Sequence, residues 1–215
     1  MLEGYVMAAD YQQMEQNFRQ FYDFSGKTVV GVGAGGGPFT DLVCESRKLI
    51  VIDKDPAAIR QWEARVAAGG LQDRVEVVQA DFCATSPRGD VVYFEFCLHE
   101  MDDPRQTLRH ALTLAPEVLV FDHLPDSEWA FQGAEEDKVR RSTDALADFN
   151  WVRQQAFRSE QRFENYQQLL DKVSPQGTLA LQRAERYRDV AEITIPMTYG
   201  LSLLCAEPSR VIAAV

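Results

Sequence analysis

Glycines and acidic residues follow several apolar runs of this sequence, at positions where they could hold a ligand. Gly33, Gly35 and Gly37 come directly after an apolar run of strand length, and Asp53 and Asp81 follow the next two such runs. Glycine lets the backbone pass close to a ligand, and the start of a following helix offers unpaired N–H groups. A carboxylate at a strand end can accept hydrogen bonds from hydroxyl or amino groups. Because so many glycines cost conformational entropy, a closely bound ligand explains them better than a plain turn.

Two histidines follow later apolar runs and are candidates for proton transfer. His99 lies shortly after the run Val91–Phe94, and His123 follows Asp122 directly after Val118–Phe121. Histidine is the side chain whose pKa best suits taking a proton near neutral pH. Structural roles are equally open, since His99 could line a ligand site and His123 could bond to a loop carbonyl.

Short apolar runs alternate with helical patterns in the first half of the chain. The runs of strand length are Thr28–Val32, Leu49–Ile52, Val75–Val78, Val91–Phe94 and Val118–Phe121. Runs that are apolar along their length are typical of parallel strands buried on both faces of a sheet. In such a sheet ligands bind beyond the carboxyl ends of the strands. The pattern therefore predicts that the glycines, acids and histidines above meet at one edge.

The chain after Asp122 has a different pattern. Residues 124–175 are polar, helical in character and rich in aromatic side chains, which predicts a helical cap inserted after the fifth strand. The aromatic residues could contact a small ligand, form the cap's own core or make the face of a homodimer. Strand character over 190–195 and 201–205, with a short connection, predicts an antiparallel β-hairpin at 189–206. With an amphipathic N-terminal helix, we expect one domain over residues 1–215 with a core at 24–122.

The ordered segments resemble the class I S-adenosylmethionine-dependent methyltransferases over about residues 25–122. The glycine run is similar to the family's first motif, except that Gly31 stands where the family has an acidic residue. The resemblance implies a Rossmann-like, seven-stranded, mostly parallel α/β sheet with an antiparallel C-terminal strand. The residues that it implies hold the cofactor are Gly33, Gly35, Gly37, Asp53, Lys54, Asp81, Phe82 and Glu95.

The family assigns a contact to several of these residues. By resemblance, Asp53 would bind the ribose hydroxyls, Asp81 would accept from the adenine amino group, and Phe82 would pack on the ring. Glu95 is one candidate to replace the acid missing at Gly31, beside Asp41 and Asp10.

The segment Cys97–Asp103 resembles the Leu-His-Asp-Trp-x-Asp segment of small-molecule O-methyltransferases, where the histidine is the general base. Glu100 and Met101 stand here in place of the Asp and the Trp. The resemblance implies transfer of a methyl group from S-adenosylmethionine to a small organic acceptor, with oxygen as the expected atom. His99 would be the base, His123 the second candidate, and S-adenosylhomocysteine the product.

Other functions remain open on the same residues. A methyltransferase acting on RNA or protein would keep the cofactor, and a binding module could hold the cofactor without catalysis. The spacing Gly31-x-Gly33-x-x-Gly36, followed by Asp53, also fits a nicotinamide enzyme. That last class predicts neither the Asp81 segment nor an antiparallel pair at the C-terminus.

The composition limits the classes of binding partner and the cellular compartment that we expect for this protein. The 215 residues include 22 Lys and Arg against 33 Asp and Glu, so the net charge is −11. This acidity argues against nucleic acid or an anionic membrane surface as a partner. The four cysteines are scattered, which predicts no metal site and no disulfide framework. Because no segment is typical of a signal peptide or a membrane span, we expect a cytoplasmic protein.

Overall fold

A seven-stranded sheet organises the described part of the chain. The computed structural model describes residues 11–33 and 45–206. The strands are β1 (Thr28–Val32), β2 (Lys48–Asp53), β3 (Val75–Gln79), β4 (Val91–Glu95), β5 (Glu117–His123), β6 (Trp151–Phe163) and β7 (Ile193–Cys205). Their order is β3-β2-β1-β4-β5-β7-β6, in which β1 to β5 are parallel and β7 is antiparallel to β5 and β6. The predicted mostly parallel α/β fold with an antiparallel C-terminal strand is confirmed.

Helices cover both faces of this sheet. They are α1 (Tyr11–Phe21), α2 (Pro56–Gly69), α3 (Pro104–Leu114), α4 (Glu128–Gln132), α5 (Glu136–Leu146), α6 (Tyr166–Val173) and α7 (Thr178–Ala184). Helices α1, α2, α6 and α7 contribute to one hydrophobic core, which includes the strand residue Val29. Helices α3 and α5 contribute to a second core, which includes Val30. Successive side chains of a strand point to opposite faces, so each strand feeds both cores. Within residues 11–33 and 45–206, no helix combines the length and the apolarity needed to cross a membrane.

Short helical turns follow two of the strands and carry residues of interest. The 3-10 turn Phe82–Ala84 comes after β3 and is capped by Asp81, whose carboxylate accepts from the Cys83 N–H at 2.9 Å. The 3-10 turn Leu98–Glu100 comes after β4. Because these turns begin within a few residues of the strand ends, they keep their side chains at the carboxyl edge of the sheet.

The prediction of a helical cap over 124–175 is wrong for residues 151–163. Helices α4, α5 and α6 lie within the predicted cap, but β6 is a strand of 13 residues. Its first six residues are exposed and it lies at the edge of the sheet, so no buried face imposes an alternation of apolar and polar residues. Only its pairing with β7, which is remote in sequence, decides that this polar segment is extended.

The predicted hairpin at 189–206 is also wrong, because β7 runs without a turn from Ile193 to Cys205. Pro196 favoured a turn, yet it lies where β7 pairs with β6 alone, since β5 pairs only with Tyr199–Cys205. A proline is tolerated where its missing N–H would face no partner strand. The antiparallel neighbours of β7 are therefore β5 and β6, not a second strand within 189–206.

Candidate active site

A cleft of about 650 Å³ opens at the carboxyl ends of the parallel strands. It brings together eight of the residues predicted from the sequence: Gly33, Asp53, Lys54, Asp81, Phe82, Glu95, His99 and His123. Gly35 and Gly37, like Asp10 and Asp41, lie outside the described residues. The cleft has a side formed by the ends of β1 to β4 and a side formed largely by the chain after β5.

Gly33 directly follows the last residue of β1 and lies against Cys97 in the loop after β4. Its φ of +77° lies in the left-handed region, and an added Cβ would lie 2.8 Å from Cys97 Cβ. The Gly33 N–H donates to the Ile52 carbonyl at 3.0 Å, and the Cys97 thiol donates to the Val32 carbonyl at 3.0 Å. The site therefore needs glycine at this position both for its backbone conformation and for the close approach.

Asp53 is the last residue of β2, and Asp81 lies two residues after the end of β3. One oxygen of Asp53 accepts from the Asp55 N–H at 2.8 Å, and one of Asp81 accepts from the Cys83 N–H at 2.9 Å. These bonds fix each carboxylate at the wall of the cleft. Carboxylate oxygens have more than one acceptor site, so such groups can bind hydroxyl or amino donors of a ligand.

The other predicted contacts on this side have different surroundings. Phe82 is only 5% exposed and packs edge-on against Phe94 and His110, so most of its ring belongs to the core. Lys54 is exposed at the rim. Glu95 is half-buried at the end of β4, next to β1 in the sheet, and accepts from the Tyr93 hydroxyl at 3.2 Å. Its position allows it to supply the negative charge that Gly31 lacks.

His99 lies at the bottom of the cleft and is held by Asp122. Its Nδ1 lies 2.5 Å from Asp122 Oδ1, and its backbone N–H donates to Asp122 Oδ2 at 3.0 Å. The ring is 3% exposed. Burial by itself lowers the pKa of His99, but the charge of Asp122 and hydrogen bonds with Asp122 and Glu100 outweigh it, raising the pKa to about 10. Because a carboxylate can only accept, Nδ1 carries the proton and Nε2 is the nitrogen that can exchange one with a ligand.

Two further carboxylates face Nε2 of His99. Glu100 Oε1 lies 3.4 Å away and Glu135 Oε2 3.9 Å away. Hydrogen bonds with His99 and with Lys138 lower the pKa of Glu100 to about 2, whereas burial raises the pKa of Glu135 to about 7. The ligand atoms of His99, Glu100 and Glu135 all lie within 4.8 Å of one another, a donor set that a divalent cation could use. The sequence pattern predicted no metal site and did not identify Glu135 as a site residue.

His123 lies beside His99 but in a different electrostatic environment. The two ring centroids are 5.7 Å apart, and the His123 backbone N–H donates to Asp122 Oδ1 at 2.8 Å. Burial is the largest effect and, with the nearby charge of His99, lowers the pKa of His123 to about 4. This imidazole is therefore neutral at physiological pH, and its Nδ1 has no hydrogen-bond partner among the residues that the structure describes.

The far wall of the cleft comes mostly from the chain after β5. It is formed by Trp129, Glu135, Gln161, Lys172, Gln176 and Met197, together with Tyr11 and Met14 of α1. Trp129 is one of the aromatic residues of 124–175 for which the sequence allowed a contact with a small ligand. Gln161 and Met197 lie on β6 and β7, the strands that were not predicted with the correct bounds, so no sequence pattern marked them.

Comparison with known families identifies the fold. A family described as "Methyltransferase domain" matches residues 7–173, which is well over half of the chain. A solved structure described as an S-adenosylmethionine-dependent methyltransferase from Aquifex aeolicus superposes with a TM-score of 0.56. That superposition covers 89% of each chain at 18% sequence identity, and so shows likeness of fold.

Two curated relatives match a shorter stretch at higher identity. Phenazine O-methyltransferase PhzM of Lysobacter antibioticus is 33% identical over 123 residues, which is 52% of this chain and 36% of the relative. Mitomycin biosynthesis 6-O-methyltransferase of Streptomyces lavendulae is 34% identical over 115 residues, 49% of this chain and 33% of the relative. The match thus spans about a third of each relative's length. From the family match, the strand order and the cleft at the carboxyl edge of the sheet, we conclude that this chain belongs to the class I S-adenosylmethionine-dependent methyltransferases.

Proposed function

We propose that this chain transfers a methyl group from S-adenosylmethionine to a hydroxyl oxygen of a small organic acceptor, with His99 as the base. The observation that carries the proposal is the His99 imidazole at the bottom of the cleft, held through Nδ1 by the buried carboxylate of Asp122. The two curated relatives, both named as O-methyltransferases, support oxygen as the acceptor atom.

The residues on the β1–β4 side fit this cofactor. S-adenosylmethionine, when bound, supplies a methyl group activated by a sulfonium cation. Asp53 would accept from the ribose hydroxyls, Asp81 would accept from the adenine amino group, and the bare backbone at Gly33 would allow the methionyl part to approach. Asp53, Asp81 and Glu95 outnumber Lys54 on this wall, and this excess of negative charge favours a cationic ligand.

His99 would take the acceptor's proton at Nε2, while the bond to Asp122 keeps Nδ1 protonated and the ring oriented. Only the neutral ring can do so. Since the pKa of His99 is raised to about 10, the fraction of neutral ring increases as pH rises towards that value. A cation bound on the β1–β4 side would lower this pKa by like-charge repulsion, and so would increase the reactive fraction near neutral pH.

The far wall suits a small acceptor more than a polymer. Trp129 and Met197 are buried apolar side chains there, and Gln161, Lys172 and Gln176 add a few polar groups. Apolar walls with a small number of polar groups are typical of sites for small molecules. This wall therefore supports the proposal of a small organic acceptor over RNA or protein.

The test is to incubate the protein with S-adenosylmethionine labelled on its methyl group and a panel of phenols, alcohols and matching amines. The expected product is a methyl ether, located by NMR or mass spectrometry, together with S-adenosylhomocysteine. Methylation on nitrogen or carbon alone would contradict oxygen as the acceptor atom. Absence of any product despite binding of S-adenosylhomocysteine would support a binding module without catalysis.

One arm of the same assay addresses the metal donor set. The reaction is repeated after treatment with a chelator and after adding Mg²⁺ or Mn²⁺. If His99 acts as a base, the rate does not depend on either treatment. A rate that is lost with the chelator and restored by the cation would instead assign His99, Glu100 and Glu135 as ligands.

A further inference from the structure

Two glutamine side chains on the far wall of the cleft present oxygens that lack a hydrogen bond. Gln161, on β6, is 6% exposed; its Nε2 donates to Met197 Sδ at 3.3 Å. Its Oε1 is buried and has no partner among the described residues. Gln176, in the 3-10 turn Ser174–Gln176, likewise has a buried Oε1 without a partner in the described ranges. Both side chains line the cleft.

Unpaired buried oxygens are costly, and their position on the cleft wall indicates what satisfies them. Most buried polar atoms in folded proteins are hydrogen-bonded, so each exception calls for an explanation. Gln132 also has a buried oxygen without a partner among the described residues, but it does not line the cleft and its amide donates to the Ala180 carbonyl. Gln161 and Gln176 differ because their side chains line the cleft. An oxygen of this kind can only accept, so the ligand group must be an O–H or N–H donor.

The charges nearby favour an uncharged donor. Lys172 lies half-buried at this wall, one turn before Gln176 in the chain, and Glu135 lies across from His99 on the same wall. A ligand ammonium would share the cleft with Lys172 and the imidazolium of His99, and a ligand carboxylate at this wall would place its oxygens against the two glutamine oxygens. A hydroxyl or a neutral N–H avoids both conflicts.

We propose that Gln161 and Gln176 form a second acceptor-binding subsite that accepts hydrogen bonds from an uncharged O–H or N–H of the methyl acceptor, separate from the hydroxyl that is methylated. The acceptor is then at least bifunctional: one hydroxyl lies at His99 and a second donor lies at the glutamines. This inference rests on the proposed function for the identity of the reacting group, but not for binding.

The first test compares acceptors whose second donor is present, changed or blocked. Resorcinol, 3-aminophenol and 3-methoxyphenol keep one hydroxyl and differ only in the second group. We expect the wild-type protein to favour the first two over the methyl ether by roughly 10- to 100-fold in kcat/KM, since a site built to bond a donor rejects an analogue without one. Equal use of all three compounds would overturn the subsite. Preference for resorcinol over 3-aminophenol would assign the donor as a hydroxyl, and the reverse would assign it as N–H.

The second test removes the oxygens. Gln161→Met and Gln176→Met keep the length of the side chain and lose the acceptor, and each is expected to reduce the preference to within about threefold. Gln155→Met is the matched control, because Gln155 lies exposed on the same strand β6, outside the cleft, and should keep the full preference. Gln176→Met, at a half-buried turn, keeps the proposal testable if Gln161→Met does not fold. Preference that persists in both cleft variants overturns the proposal.

Binding separates this inference from the proposed function. Thermal unfolding in the presence of S-adenosylhomocysteine measures whether resorcinol stabilises the protein more than 3-methoxyphenol does, without any methyl transfer. A larger shift with resorcinol that disappears in Gln161→Met supports the subsite even if no compound is methylated. Equal shifts with both compounds overturn it even if one compound is methylated.

Discussion

The two sides of the cleft are built in different ways. On the β1–β4 side, Asp53 ends β2 and Asp81 lies two residues after β3, and each carboxylate is fixed by a bond to the backbone two residues later. His99, at the bottom of the cleft, comes from the turn after β4, and Glu135, on the far side, comes from the start of α5; both are buried. Their pKa values are raised to about 10 and about 7, respectively. The carboxylates proposed to bind the cofactor are thus positioned by local chain geometry, whereas the pKa values of His99 and Glu135 are set by burial and by neighbours remote in sequence.

The two histidines also differ in their electrostatic environments, although their ring centroids are only 5.7 Å apart. Both adjoin Asp122, but only His99 has its ring nitrogen on that carboxylate and a second nitrogen facing Glu100. His123 has a buried ring without a side-chain carboxylate bonded to it among the described residues, and its pKa is lowered to about 4. Environments that separate the pKa values of adjacent groups are typical of catalytic sites.

Replacing His99 should give the largest effect. His99→Asn removes the base and should reduce kcat by about 10³-fold, within the range that general bases contribute. The affinity for S-adenosylhomocysteine should change by less than about twofold, because His99 is not among the residues proposed to bind the cofactor. Steady-state kinetics and calorimetry measure the two quantities. A large loss of S-adenosylhomocysteine affinity would show that the two sides are not independent.

Asp122→Asn should lower both the rate and the pKa of His99. The substitution removes the charge and the hydrogen-bond acceptor that raise this pKa, and leaves burial, which lowers it. The pH at which activity rises should therefore move down by more than one unit, and kcat at its plateau should fall by about 10²-fold because the ring loses its orientation. The chain has three histidines, so NMR titration of labelled imidazoles can follow His99 directly. An unchanged His99 titration would contradict the role of Asp122.

Asp53→Asn should change cofactor binding on the β1–β4 side of the cleft and leave His99 unaffected. Loss of a charged acceptor should weaken S-adenosylhomocysteine binding by roughly 10- to 100-fold. The pH dependence of His99 should not move. Asp55→Asn is the matched control, because Asp55 lies outside the cleft and asparagine can also cap α2 by accepting from the Ala57 N–H, so affinity and stability should both stay near the wild-type values. Equal affinity in wild type and Asp53→Asn would contradict the ribose contact.

Gly33→Ala should give the smallest effect, and on stability. The left-handed φ and the contact with Cys97 together should cost on the order of 1–3 kcal/mol, or about 2–10 °C in the unfolding midpoint. Gly70→Ala is the control, since Gly70 has a φ of +62° but nothing within 4 Å of an added Cβ. The difference between the losses of stability of the two variants, measured by thermal unfolding, gives the contribution of the steric contact with Cys97. An equal loss in the two would show that the close approach to Cys97 does not constrain the site.

Much of the β1–β4 side could be predicted from the sequence because its signals are local. An apolar run of four or five residues is typical of a buried parallel strand, and a residue that closely follows such a run lies at the carboxyl edge of the sheet. Asp53, Asp81 and Glu95 follow from this rule without knowledge of the side chains around them. His99 and His123 could be placed at the same edge, but the difference between their pKa values could not.

The chain after β5 was harder to predict because its signals are not local. Strand β6 is polar and lies at an edge, so its sequence has neither apolar periodicity nor a buried face, and Pro196 in β7 favours a turn when its strand partners are unknown. Gln161 is a site residue only because β6 pairs with β7 and brings it to the cleft.

The sequence by itself therefore determined the parallel sheet, the glycine-lined edge and the candidate histidines, because hydrophobic periodicity and strand-end position are properties of short segments. The tertiary structure decided the order of the last two strands, the placement of Glu135 and Gln161 and the opposite pKa shifts of His99 and His123. Burial and charge–charge distances depend on which remote segments meet, and no local pattern encodes them.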